Sequence, residues 1–294
     1  MIEDEYTNYV LDADIEGYFS NISQEMVLRL LRGRIVDKSI LWLVDTMLKA
    51  GMVKDYVYEP TETGCGQGAV CSPIIANIVM HYMLVWWFKE SVKSYIRGFA
   101  GLVVYADDFV MCFQHKAEAE KVLVRLRRRM EHYGLRLQEE KIRLIEFGKF
   151  AEENAKNRKT KPATFTFLGF THYVSKDRTG KRFRVKRKTA RQKLAKKCRE
   201  MNKDIRARRG WELGDIISWI NQVLVGYFHY YGITDNYASI NNFRHEVIKM
   251  LFKWLNRRSQ RKSMTWKEFN QLLKLFPIEK PKIYVNVYEY EYAC

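Results

Sequence analysis

The spacing of apolar positions along this chain changes repeatedly, and each change marks an element. Across residues 9–15, Leu11, Ala13 and Ile15 alternate with Asp12 and Asp14, the two-residue period of a strand with both acids on one face. Gly17 begins a turn, Ser23 is placed to cap a helix to about Leu31, and a second helix is predicted over 38–49, ended by Gly51. A strand is expected over 52–58, then a loop punctuated by Gly64, Gly66 and Gly68. Pro73 suits the first turn of a helix running to about Phe88, whose apolar residues go nearly all round and predict burial. Two apolar runs, 102–104 and 109–111, then flank Tyr105-Ala106-Asp107-Asp108, a strand–turn–strand pattern. The helical period returns over 116–133, with Val122, Leu123, Leu126 and Met130 inward and Arg125, Arg127, Arg128 and Arg129 largely outward. Short strands are predicted near 135–137 and 142–145, with Lys141 between them, then an exposed loop over 149–161. A strand at 165–170 contains Gly169, a mark of a bulge or a close backbone approach. Beyond Gly210 the chain reads as helical and aromatic, with later helices over about 239–257 and 264–275. Short hairpins mixed with helices give an α+β layer structure, helices packed on a largely antiparallel sheet.

Composition narrows the class. With 294 residues and 47% hydrophobic positions, the chain can build a substantial core in one large domain or two modest ones. Its net charge of +17 points to a polyanionic partner. Between residues 176 and 209 stand 17 Lys and Arg against three acids, a net +14, so most of the excess lies in one stretch. Such a run is too one-sided to be neutralised internally, which favours nucleic acid over a merely solvated face. Five scattered cysteines without a Cys-x-x-Cys pair argue against a disulfide framework or a zinc site and suit a reducing cytosol. The acidic start lacks the layout of a signal peptide, and the longest apolar segment, 74–88, is interrupted by Asn77 and His81 and too short to span a bilayer. A soluble, cytoplasmic protein is expected.

The candidate chemistry centres on Asp107 and Asp108. Adjacent carboxylates repel, and a divalent metal with its preference for hard oxygen ligands removes the conflict. An acidic hairpin turn is the competing reading of the same stretch, since Asp is a common turn former. If the sheet brings Asp14 beside this turn, three carboxylates can hold two Mg ions for in-line displacement at phosphorus. The basic stretch downstream would then hold a nucleic-acid duplex.

These segments, in this order, resemble the reverse transcriptases of group II introns, the intron maturases, from about residue 9 to 275. Asp12-Ala13-Asp14-Ile15-Glu16-Gly17-Tyr18-Phe19 resembles the first catalytic motif of that family. Gly66-Gln67-Gly68 followed by Ser72-Pro73-Ile74-Ile75-Ala76-Asn77-Ile78 resembles its template and nucleotide motif, and Tyr105-Ala106-Asp107-Asp108 its signature quartet. Gly134 to Lys141 and Phe167-Leu168-Gly169-Phe170 resemble the two that follow.

The resemblance implies a polymerase palm over 1–175, a basic helical thumb and maturase domain over 176–275, and a tail over 276–294. It implies Asp14, Asp107 and Asp108 as catalytic residues, with Ile15 joining them in the metal set for two Mg ions. Phe19 would exclude a ribose 2′-hydroxyl, Gln67 and Gly68 would line the nucleotide pocket, and Lys141 would sit near the triphosphate; an ordinary surface lysine is the other reading of Lys141. Phe167, Leu168 and Gly169 would form the primer grip. Intron RNA would be bound by Lys181, Arg182, Arg184, Lys186, Arg187, Lys188, Arg191, Arg257, Arg258, Arg261 and Lys262. The implied partners are an RNA template, intron RNA, a DNA or RNA primer, and deoxynucleoside triphosphates. Two departures stand out. Gly66 takes the place of the family's usual Pro, and the few residues before Asp14 leave no room for the fingers region. The expectation is therefore a truncated chain, weak or inactive alone. The alternatives are an inactive RNA-binding splicing factor and a retron or defence-type reverse transcriptase. Tyr230 and Tyr231 read as core aromatics that an exposed helix end could also offer to bases.

Overall fold

A computed structural model describes residues 6–54, 57–59, 64, 71–177, 179–258 and 263–289. The chain divides into two compact units, 1–165 with 174–185, and 166–173 with 186–294.

The first unit is built on an antiparallel sheet in the order β4-β5-β1-β6, from β1 (Tyr9–Ala13), β4 (Ala100–Tyr105), β5 (Asp108–Phe113) and β6 (Arg143–Glu146). The alternation along β1 decides what each face does. Leu11, Ala13 and Ile15, with Phe109, Met111 and Phe113 of β5, join one core with α2 (Gln24–Arg32), α4 (Ser72–Met80) and α5 (Lys116–His132). The opposite face buries Val10, Val110 and Cys112 at one end, where burial pushes the Cys112 thiol up to about 12. Toward the other end it opens: Val10 is 0% exposed, the Asp12 side chain 18% and that of Asp14 31%. The α+β architecture therefore leaves the acids at the open end of the face opposite that core.

Most elements fall where the periodicity puts them, including α3 (Lys38–Lys49). Others differ. The turn begun by Gly17 contains α1 (Tyr18–Asn21), and the single strand expected over 52–58 is an antiparallel pair, β2 (Met52–Lys54) and β3 (Val57–Glu59). The helix from Ser72 continues beyond Met80 as π-helical turns over His81–Trp86 and Phe88–Val92. It is not buried all round, because Ile74 is 65% exposed and Trp86 50%, while Trp87 and Phe88 are core. Arg129 of α5 donates to the carbonyls of Tyr82 and Met83 inside the π-helical run. Residues 135–137 give only an isolated bridge, Ile15 with Leu137. The expected loop over 149–161 contains α6 (Ala151–Asn157), which needs only Ala151 and Ala155 to pack.

The second unit is mainly helical. β7 (Thr164–Phe167), β8 (Phe170–Lys176) and β9 (Phe183–Thr189) form a small three-stranded sheet. The most basic stretch becomes β9 and α7 (Arg191–Ala207), where Met201 and Ile205 are buried one helical turn apart and the charges stay outside. α8 (Leu213–Tyr231), α9 (Tyr237–Leu255) and α10 (Trp266–Leu275) close a core that includes Ile216, Ile220, Leu224, Phe243, Val247, Leu251 and Phe269. Thr265 and Glu268 cap α10 reciprocally.

Residues 277–289 run back over this bundle. Asn221 donates to the Pro277 carbonyl and accepts from Glu279 N, and Arg244 donates to the carbonyls of Ile278 and Glu279. Ile278 is 4% exposed. The Gly232 carbonyl accepts from Tyr284 N and Val285 N, and Thr234 N donates to the Val285 carbonyl. The Tyr284 ring stacks on His229 at 4.0 Å. Among the described residues no helix is long and apolar enough to cross a membrane.

Candidate active site

Strand pairing sets the geometry of the acids. Asp12 pairs with Val110 and Ala13 with Phe109, so one further step brings Asp14 across from Asp108. Directly opposite residues of an antiparallel pair share a face with Cβ atoms about 4.5–5.5 Å apart. Tyr105 pairs with Asp108, which leaves Ala106 and Asp107 as a two-residue turn. Ala106 takes the left-handed conformation, φ 53°, which costs a non-glycine residue about 1–2 kcal/mol but lets the turn follow the twist of the strands. Asp107 is half-buried and Asp108 exposed.

Lys141 closes the group. Gln138 N donates to the Asp14 carbonyl (2.8 Å) and Glu16 N to the Arg136 carbonyl (2.9 Å), fixing the bridge between Ile15 and Leu137. In that arrangement the N–H and C=O of Ile15 itself point to the other edge, toward β5. The chain then makes a 3₁₀ turn, Glu139–Lys141, tied to α5 by a bidentate pair from Arg127 to Glu139 at 2.9 and 2.8 Å. The Lys141 ammonium donates to Asp14 Oδ2 at 2.5 Å. That bond, then the negative charges of Asp14 and Asp108, raise the Lys141 pKa against a small loss of hydration. Beside them, Arg143 donates to Asp12 Oδ2 at 2.5 Å. Burial raises the Asp12 carboxyl; Arg143 opposes the shift and the charge of Asp14 adds to it. Asp12 and Asp14 share a strand face, yet one is tied to a neighbouring strand and the other to a flexible lysine.

Among the described residues no three His, Cys, Asp or Glu side chains stand close enough to hold a metal ion. The expected convergence of three carboxylates is thus only partly realised: Asp14 and Asp108 both act on Lys141, and Asp14 is turned to the ammonium. The donor set still fits Mg, which commonly takes one or two carboxylates and leaves its other positions to water and substrate phosphate.

Phe19 lies on α1, five residues beyond Asp14, partly exposed, its ring edge-on to Tyr18 at 5.6 Å. Tyr18 is fixed by donating its hydroxyl to the Ala76 carbonyl at 2.6 Å. Gly64 N donates to the Ile22 carbonyl at 2.8 Å, and a Cβ at Gly64 (φ +85°) would lie 2.6 Å from Ser20 O and 2.7 Å from Phe19 O. The first glycine of the loop therefore serves a close approach to the backbone of Phe19. Gly66, Gln67 and Gly68 lie outside the described residues, as do Arg261 and Lys262.

In the second unit, Leu168 (φ 48°) and Gly169 (φ 78°) form the turn after Phe167. Tyr230 donates its hydroxyl to the Leu168 carbonyl at 3.0 Å, and its ring stacks on Phe170 at 6.0 Å. A Cβ on Gly169 would meet the Tyr231 hydroxyl at 2.9 Å, and Ala190 N donates to the Gly169 carbonyl. Tyr230 and Tyr231, read as core aromatics open to bases, thus serve this turn, although Tyr230 remains 56% exposed. Of the basic candidates, Lys181 and Arg182 are exposed at the turn after β8, and Arg184 is half-buried on β9. Lys186 and Arg187 are also half-buried, whereas Lys188, Arg191, Arg257 and Arg258 are exposed. Lys188 lies over Tyr173 at 5.3 Å, Arg257 over Trp254 at 5.3 Å, and Arg258 donates to the Trp211 carbonyl. Arg208, which the charge count included but did not single out, lies between Trp219 (4.3 Å) and Trp211 (5.3 Å). Arg127, Glu139 and Arg143 were likewise not singled out; no local pattern marks them, because their partners lie on other elements.

Residues 2–172 match the family described as reverse transcriptase (RNA-dependent DNA polymerase), and residues 191–273 match the group II intron, maturase-specific domain. The group II intron-encoded protein LtrA of Lactococcus lactis subsp. cremoris is 34% identical over 73 residues, 25% of this chain and 12% of that protein. The putative COX1/OXI3 intron 2 protein of Saccharomyces cerevisiae is 36% identical over 77 residues, 26% of this chain and 9% of that protein. The matched segments therefore span a small part of these relatives. Among solved structures, telomerase from Candida albicans in complex with a TWJ fragment of telomeric RNA aligns at 13% identity and a TM-score of 0.44, over 92% of this chain and 46% of that one.

Proposed function

Because the chain belongs to the reverse transcriptase family and continues into a group II intron maturase-specific domain, we propose that it copies RNA into DNA and binds intron RNA to assist splicing. The observation that carries this reading is the meeting of Asp14 and Asp108 with Lys141 at the open end of an otherwise buried sheet face. Asp14, Asp107 and Asp108, with the Ile15 carbonyl, would hold Mg. When bound there, two ions lower the pKa of an attacking 3′-hydroxyl and offset charge on the departing pyrophosphate. Phe19 stands against the nucleotide sugar and selects deoxyribose by bulk. Lys141 offsets charge on the triphosphate or donates a proton to the leaving group. Gln67 and Gly68 line the nucleotide pocket, and Phe167, Leu168 and Gly169 hold the primer strand. The exposed Lys181, Arg182, Lys188, Arg191, Arg257 and Arg258 carry the phosphate contacts that dominate affinity for RNA.

The test is primer extension on poly(rA)/oligo(dT) together with an intron splicing assay, each run on the chain and on Asp107→Ala. Asp107→Ala should abolish whatever DNA synthesis the chain performs while splicing is retained, and robust synthesis by the chain overturns the expectation that it is weak or inactive alone. Equal synthesis by both proteins removes the turn from the mechanism. Splicing without synthesis by either protein reduces the chain to an RNA-binding splicing factor. The maturase-specific match speaks for a group II intron protein rather than a retron or defence enzyme.

A further inference from the structure

We propose that Lys141 competes with the divalent metal for Asp14, so that a metal ion entering the site sets the lysine free for the phosphates of the incoming nucleotide. The inference rests on the polymerase reading above. Asp14 is flanked by negative charge, from Asp12 two residues away on the same strand face and from Asp108 across the strand pair. Such a group favours a neighbouring cation, because like charges held this close repel one another. Arg143 serves Asp12. The cation at Asp14 is Lys141, 2.5 Å away and also within the influence of Asp108. A divalent ion held by Asp14 and Asp108 calls on the same carboxylates and brings twice the charge.

The lysine is built to leave. Its backbone turn is held by the hydrogen bond from Gln138 N to the Asp14 carbonyl and by the Arg127–Glu139 pair, so the anchor stays fixed. Its side chain is 55% exposed, and the four-carbon stem of lysine swings freely where it is not packed. Rotation of that stem alone moves the ammonium off Asp14 without disturbing the sheet. Release and metal entry are then one linked equilibrium, and linkage is reciprocal: whatever the lysine contributes to holding Asp14 weakens metal binding by the same factor.

The test needs no polymerase activity. Mn²⁺ alone is titrated into the 294-residue chain, Lys141→Met, Asp14→Asn and the double variant, with free Mn²⁺ followed by electron paramagnetic resonance. Lys141→Met is expected to bind Mn²⁺ roughly ten-fold more tightly than the parent chain, within the usual range of coupling between sites. Asp14→Asn weakens binding, and in that background Lys141→Met has no effect. Thermal melts in chelator, with Lys141→Gln as a second variant, confirm that the proteins are folded. Equal or weaker Mn²⁺ binding by folded Lys141→Met and Lys141→Gln overturns the competition while leaving the metal site standing. Binding by none of the four proteins, or binding indifferent to Asp14→Asn, overturns the competition and the metal-site reading together.

Discussion

Two tight turns of this protein solve one backbone problem and hand the result to different uses. Each places a non-glycine residue in the left-handed region, Ala106 in the turn between β4 and β5 and Leu168 in the turn between β7 and β8. The first turn is held by its own strand pairing, Tyr105 with Asp108, and leaves Asp107 half-buried and Asp108 exposed. The second is clasped: Tyr230 holds the Leu168 carbonyl, Tyr231 covers Gly169, and Ala190 N takes the Gly169 carbonyl. A turn whose polar groups are satisfied within the protein is fixed by folding. One whose acids reach the surface can also meet a ligand. Substitutions in the first turn should therefore register in chemistry, and in the second in stability.

The largest expected effect is on the open turn. Asp108→Ala should lower the rate of primer extension by on the order of a thousand-fold. Its free energy of unfolding in urea should stay within about 0.5 kcal/mol of the parent. A large loss of stability instead would make the acidic turn a structural element and break the comparison. The clasped hairpin carries the next effect, through His172 on β8. Burial, then the charge of Arg187, depress its pKa from 6.5 to about 4. A group whose folded pKa is depressed in this way adds stability above pH 6.5, and that stability is lost as the pH falls from 6.5 toward 4. The loss is up to about 3 kcal/mol. Denaturation of the chain and of His172→Gln across that window checks it; the variant should flatten the slope, and parallel curves would remove His172 from the account. The smallest effect is also the most direct contrast. Gly169→Ala should cost about 1–3 kcal/mol, from the left-handed backbone and the crowding against Tyr231. Ala106→Gly should be neutral or gain up to about 1 kcal/mol by relieving the same strain. Opposite signs sharpen the contrast, whereas losses at both positions would mean that the first turn is also held from outside.

What was legible in the sequence was what is local. The alternation of Asp12 and Asp14 with Leu11, Ala13 and Ile15 predicts the strand and its acid face, and the apolar runs around residues 105–108 predict the hairpin. Gly169 announces a close approach, but not that Tyr231 makes it, 62 positions along. The bond from Lys141 to Asp14 crosses 127 residues and that from Arg143 to Asp12 crosses 131. No periodicity carries such information, because pairing of β1 with β5 and β6 is what brings these residues together. α6 was missed for another reason: a helix that buries only Ala151 and Ala155 leaves a hydrophobic stripe too thin to stand out from a polar loop. The return of residues 277–289 was missed because its hold is made by backbone groups, whose partners side-chain patterns do not reveal.

That returning segment also bears on how the second unit comes into being. During synthesis α8 and α9 are complete before Pro277 is added, and α9 ends at Leu255. For that interval Asn221, Arg244 and the Gly232 carbonyl have water where the finished protein gives them Pro277, Ile278, Glu279, Tyr284 and Val285. Nascent chains acquire structure from their N-terminal side as they emerge. The helices are thus finished as shapes before they are finished as a unit, and the ribosome must translate past them before the bundle can lock.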